Sequence, residues 1–180
     1  MNRPGTVRQA NVPFSKAVKL FTTVKLAGLK ESAKAYSGAV YGDTLYRADK
    51  NVIAMSAIIL DFDNDVRNKN GTKQCTRNPT YPEDLAGPLN GMCYFFHSTW
   101  SNSVDWPKWR VIIPLDRCVD RGQWRSVVDG ILWQIGDCSY NIDKSCFEPS
   151  RHFLAPSCSS TNESVAFSGY SDGQEVTHVR

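Results

Sequence analysis

Residues 52–62, Val-Ile-Ala-Met-Ser-Ala-Ile-Ile-Leu-Asp-Phe, restrict the possible folds more than any other segment. In Ile58-Ile59-Leu60 successive residues are apolar, so a strand here presents hydrocarbon to both sides and must be covered on each. Two similar runs follow, Cys93-Tyr94-Phe95-Phe96 within 92–98 and Trp109-Arg110-Val111-Ile112-Ile113, the latter expected to stop at Pro114. Helices must supply the cover. Trp124, Val127, Val128, Ile131, Leu132 and Ile135 recur at steps of three and four, with Asp120 and Gln123 at capping-box spacing and Gly136 as a C-terminal stop. A short helix is expected over Thr80–Leu89, where Thr80 and Glu83 have the same capping spacing. Residues 151–155 predict a last strand ending at Pro156, and 158–180 a loop and a short hairpin. Residues 36–47 suggest a strand or hairpin, while 17–29 fit helical and alternating spacing equally. The fold class is α/β (α+β): one sheet with helices packed on it.

The 180 residues read as a flexible basic arm over 1–16 and a single domain over 17–180, which could be the N-terminal part of a longer protein. No run of about 18 uncharged apolar residues is present, so no transmembrane span is expected, and Met1-Asn2-Arg3-Pro4-Gly5 is followed by no apolar stretch of a secretory signal. The net charge of +3 is uneven: residues 1–50 hold nine basic and three acidic side chains. A basic segment beside an acid-bearing body can guide a polyanion, or simply be a solvated face. The six cysteines show no C-x2-C spacing and read as reduced thiols in a cytoplasmic protein, with Cys138, Cys146 and His152 a conceivable metal group.

The main strand runs into Asp61-Phe62-Asp63-Asn64-Asp65. Asp61 and Asp63 are two apart on a strand and share a face, where their charges repel unless a cation intervenes. Carboxylate oxygens suit Mg²⁺ or Mn²⁺. The plain alternative is a solvated strand end with turn-forming residues. An EF-hand is excluded, because Val66 and Thr72 stand where the loop needs Gly and Glu. Leu60-Asp61-Phe62-Asp63-Asn64 resembles the nucleophile motif of haloacid-dehalogenase-like phosphatases, which would make Asp61 the nucleophile and Asp63 the acid/base, but no later paired-acid motif accompanies it.

Four segments in order resemble the catalytic domain of the archaeo-eukaryotic primase superfamily, in its plasmid- and phage-type primase-polymerases. They are Ile58–Asp63, Phe96-His97-Ser98-Thr99-Trp100-Ser101-Asn102, Trp109–Leu115, and Asp143 with Glu148-Pro149-Ser150-Arg151-His152-Phe153-Leu154-Ala155-Pro156. The resemblance implies a central mixed, RRM-like sheet flanked by helices. It implies template-directed nucleotidyl transfer in the replication of a mobile element, with Asp61, Asp63 and Asp143 holding two Mg²⁺ or Mn²⁺ ions about 3.5–4 Å apart. Nucleotide phosphates would meet His97, Ser98, Thr99, Ser101, Asn102, Arg110 and Arg151, although Asn102 stands where the family's middle-motif histidine is expected. The implied partners are single-stranded DNA template and primer, NTP or dNTP, and a helicase in cis or trans, with no membrane. Two alternatives stay open: the phosphohydrolase, and a nucleic-acid-binding replication module without catalysis. Trp100, Trp106 and Trp109 suit loop anchoring better than base stacking.

Overall fold

The computed structural model describes residues 7–44, 46–173 and 176–179, the last four by their backbone. Helix α1 (Phe14–Thr22) precedes three short strands, β1 (Lys25–Leu26), β2 (Ala35–Tyr36) and β3 (Ala39–Tyr41). The long β4 (Val52–Phe62) leads into a hairpin of β5 (Asp65–Arg67) and β6 (Lys73–Cys75). Next come β7 (Cys93–Ser98), β8 (Trp109–Asp120) and helix α2 (Arg121–Ile135). The chain finishes with β9 (Phe153–Leu154), β10 (Ser157–Cys158), β11 (Ser168–Asp172) and β12 (Val176–Val179).

Six strands form the central sheet in the order β12-β11-β7-β8-β4-β3. All its pairings are antiparallel, which corrects the expected mixed sheet. The physical reason is connectivity. Helix α2 does not carry the chain across to a parallel neighbour. It leads to β9, which pairs with β2 outside the sheet, and the parallel pairing among the described residues is a separate ribbon, β1 with β10.

Both faces are covered, as the apolar runs require. Residues directly opposite on antiparallel strands share a face, so the register makes Ser168, His97, Arg110 and Asp61 one row across β11, β7, β8 and β4. On that face Phe14 and Phe21 of α1 pack on Phe95, with ring centroids 5.5 and 5.4 Å apart, and Tyr36 packs on Phe21 and Phe153. The other face carries Ile58, Leu60, Phe62, Tyr94, Phe96, Trp109, Val111 and Ile113, all buried. Trp109 stacks on Phe62 at 4.3 Å, and α2 contributes buried Trp124, Val128 and Ile135 to the same core.

Several local expectations change. β8 continues through Pro114 to Asp120, because past Ile112 it has left β7 and a proline nitrogen without an N–H costs no ladder bond on that open side; beyond Pro114 its register with β4 shifts between Ala57 and Met55. Asp120 precedes α2 but its side chain makes no capping bond. The helix expected over 80–89 contains a single 3₁₀ turn, Pro82–Leu85, whose start is tied by Tyr81 N–H donating to Asp84, not by Thr80 and Glu83. The last strand shrinks to Phe153–Leu154. The expected arm is not loose throughout: α1 begins inside it, and Gln9 exchanges two hydrogen bonds with the Tyr41 backbone, 2.7 and 3.1 Å long. Residues 1–6 lie outside the described ones. The final hairpin is present as β11–β12.

Candidate functional site

Asp143 reaches Asp61 because β4 has an open edge. β3 pairs only with the first part of β4, and beyond it Phe62 forms a bridge with Ile142. The Asp143 N–H donates to the Asp61 carbonyl at 2.8 Å. The 3₁₀ turn Gly136–Asn141 that follows α2 delivers this segment, and Asn64 N–H donates to the Asn141 carbonyl. Main-chain bonds thus stitch Asp143 beside Asp61, an acid 82 positions earlier.

The turn after β4 is fixed by Asn64, which is fully buried and holds a positive φ of 49°. Asn tolerates that conformation better than most residues. Its amide donates to the Thr80 and Pro107 carbonyls at 3.0 and 2.8 Å, and its Oδ1 accepts from Thr80 N–H at 2.8 Å. Trp106 Nε1 donates to the Asp63 carbonyl at 2.8 Å. Asp63 and Asp65 therefore leave a rigid turn rather than a solvated loop.

Cations surround the acids. Arg110 grips both Asp61 oxygens, at 2.9 and 3.1 Å, and also donates to the Leu154 carbonyl. Burial pushes the Asp61 carboxyl up from its ordinary value, Arg110 opposes this, and the charges of Asp63 and Asp143 add to the upward push. Lys108 lies 3.5 Å from Asp63, and its ammonium sits 4.3 Å from the Trp106 ring centroid. Lys73 bridges Asp65 and stands 3.6 Å from Asp63. Hydrogen bonding to Asp65 holds its ammonium above the ordinary range, supported by Asp63 and Asp143. Asp143 accepts from the Ser145 amide at 2.9 Å and hydroxyl at 2.8 Å. These bonds, with Arg151 at 4.0 Å, outweigh burial and keep it below the usual carboxylate value.

The middle segment is spent on internal structure. His97 is fully buried: Nδ1 meets the Ser98 carbonyl at 2.8 Å and Nε2 meets the Tyr36 hydroxyl at 3.0 Å. A carbonyl can only accept, so Nδ1 carries the proton and Nε2 accepts from Tyr36. Burial lowers the His97 pKa to about 3, with Arg110 adding to the effect, so the ring is neutral. Ser98 Oγ accepts from Phe167 N–H, Asn102 donates to the Val165 carbonyl and accepts from Lys108 N–H, and Thr99 is buried. Ser101 is exposed and Arg151 is half-exposed at the Asp143 side. Trp100, Trp106 and Trp109 each donate their indole N–H to a carbonyl, which is anchoring.

Sequence reading missed Lys73, Lys108, Asp65 and Asn64. Asn64 carried the one usable signal, a turn-forming residue wedged between two acids at a strand end. The lysines come from β6 and from the loop before β8, and had none. Among the described residues, no three His, Cys, Asp or Glu side chains stand at metal-ligating spacing, neither Asp61, Asp63 and Asp143 nor Cys138, Cys146 and His152. Burial instead pushes the Cys146 thiol up to about 12.

Residues 36–176, from β2 to the start of β12, match the VapE N-terminal domain. The chain belongs to that family. It is a family of domains associated with phage and plasmid replication. No curated protein and no solved structure matches the chain. The stretch matched by the VapE N-terminal domain family holds the whole acidic site and its cations, while α1 lies outside it. No helix among the described residues is long and apolar enough to cross a membrane.

The acids offer only carboxylate oxygens, the donor type that hard divalent cations take, and the Lys73 ammonium stands between Asp63 and Asp65. Asp63 and Asp143 keep part of their surface open, whereas both Asp61 oxygens are committed to Arg110.

Proposed function

We propose that this domain performs metal-dependent, template-directed nucleotidyl transfer as a primase-polymerase in mobile-element replication, in the cytoplasm. The observation that carries the proposal is the meeting of Asp61, Asp63 and Asp143 at one strand end, with Lys73, Lys108, Arg110 and Arg151 around them. Asp63 and Asp143 would hold the cation, joined by Asp61 when Arg110 turns to phosphate. Mg²⁺ or Mn²⁺ bound there would make a 3′-hydroxyl more acidic and offset the charge of the leaving pyrophosphate. Lys108 and Arg151 are placed to bind triphosphate oxygens, Arg151 bidentately. The Asn64 turn and the Ser145 bonds keep the acids oriented before substrate arrives. Single-stranded template, primer and NTP or dNTP are the ligands, with a helicase as working partner.

One observation favours a second reading, a nucleic-acid-binding replication module without catalysis. The bidentate Asp61–Arg110 pair is buried and complete, as a purely structural ion pair would be. The phosphohydrolase, like the transferase, needs Arg110 to release Asp61, its nucleophile, from this pair. A primer-extension assay with Mn²⁺, templated DNA and labelled nucleotide separates the readings. Extension by wild type, lost at least about a hundredfold in Asp63→Ala, supports transfer. Template binding without extension supports the module, and phosphate release from a small ester supports the hydrolase.

A further inference from the structure

The β5–β6 hairpin stands apart from the central sheet and serves no core. Its residues from 66 to 74 are exposed, apart from a partly buried Asn68. It is nevertheless rigid. Asn68 Oδ1 accepts from the Asn70 and Thr72 amides, both at 3.0 Å, Asn68 N–H donates to the Thr72 carbonyl, and Arg67 donates to the Gly71 carbonyl at 2.8 Å. Gly71 provides the positive φ, 79°, that closes the tip. At the base, Thr76 N–H donates to the Asn64 carbonyl and Lys73 pairs with Asp63 and Asp65. The hairpin is therefore a stiff finger fastened to the acidic site.

Its charge is one-sided. Between Asp65 and Glu83 there is no acid, while Arg67, Lys69, Lys73 and Arg77 are basic. Lys73 is turned to the site's own carboxylates. Among the described residues, Arg67, Lys69 and Arg77 form no ion pair. The finger has no aromatic residue, and a charged surface without aromatic anchors is poor material for the core of a protein interface. Guanidinium and ammonium groups spaced along a rigid edge suit a chain of phosphates.

We infer that the β5–β6 hairpin is a phosphate-tracking finger that leads single-stranded nucleic acid to the acidic site, with Lys73 as its staple and Arg67, Lys69 and Arg77 as its contacts. The choice of a single strand rests on the transferase reading, because a template is unpaired where it is copied.

The test is fluorescence anisotropy of a labelled oligothymidylate across a salt series. It uses wild type, R67E/K69E/R77E, the milder R67Q/K69Q/R77Q, and the rival K16E/K19E/K25E on α1 and β1, with thermal melts to verify folding. The finger variants are expected to weaken binding by about tenfold or more and to flatten the log–log salt slope by about 2, as three lost phosphate contacts on a single strand require. The rival variant keeps the wild-type slope. Finger variants that bind with wild-type affinity and slope overturn the inference and leave the transferase reading intact. A wild type that does not bind the strand even at low salt overturns both the finger and the template part of that reading.

Discussion

At the scale of single residues, the row Ser168–His97–Arg110–Asp61 shows how a polar stripe survives inside an apolar sheet. Each member finds a partner: Ser168 donates to the Thr22 carbonyl, His97 bonds Tyr36 and Ser98, and Arg110 bonds Asp61. Keeping His97 neutral has a pH consequence. Its folded pKa, about 3, lies below the ordinary 6.5, so the unfolded chain takes up a proton first. The stability this confers is full above pH 6.5 and drains as the pH falls toward 3. In an NMR titration the His97 ring resonances should stay fixed from pH 7.5 to 5, and a midpoint near 6.5 would contradict the buried neutral ring. Neither the protonation state of His97 nor the Asp61–Arg110 pair was legible in the sequence. His97 reads as a phosphate contact until the register puts it opposite Arg110, and Arg110 reads as a free cleft arginine until the register puts it opposite Asp61.

At the scale of elements, the three long sheet strands and α2 were readable because each carries enough apolar residues to set its own period: β4 to the residue, β7 and α2 nearly so, and β8 from its first residue. What was not readable was set by tertiary partners. Pro114 stops a strand only where its missing N–H matters, and within β8 it faces an open side. The two-residue strands β1, β2, β9 and β10 have no pattern of their own and exist because remote segments meet. The close approach of Gly38 to β4 is an example with a measurable consequence. A Cβ at Gly38 would lie 2.5 Å from the Ala57 carbonyl oxygen, where Ser56 N–H already donates to the Gly38 carbonyl at 2.7 Å. Gly38→Ala should therefore destabilise the fold by about 1–3 kcal/mol in urea unfolding, and a loss below about 0.5 kcal/mol, the range of ordinary surface changes, would show the contact to be soft.

At the scale of the whole molecule, sequence composition indicated a sheet covered on two sides, and the molecule has that form. The antiparallel topology escaped because strand direction depends on where α2 sends the chain. The acids were readable as candidates, since Asp61 and Asp63 terminate the strongest strand and Asp143 precedes the Pro-Ser-Arg run. Their enclosure by Lys73 and Lys108 was not, since these lysines arrive from β6 and from the loop just before β8. The whole architecture has one focus: open sheet edge, Asn64 turn, 3₁₀ delivery of Asp143 and basic finger all converge on the end of β4.

The claim that this focus is a cation and nucleotide site is tested most directly by electron paramagnetic resonance of Mn²⁺ with the purified domain and a deoxynucleoside triphosphate. Wild type should remove free-ion signal beyond what the nucleotide alone removes, and Asp63→Asn and Asp143→Asn should restore it while their melting temperatures stay near wild type. Equal uptake by all three proteins, or none by wild type, would contradict it.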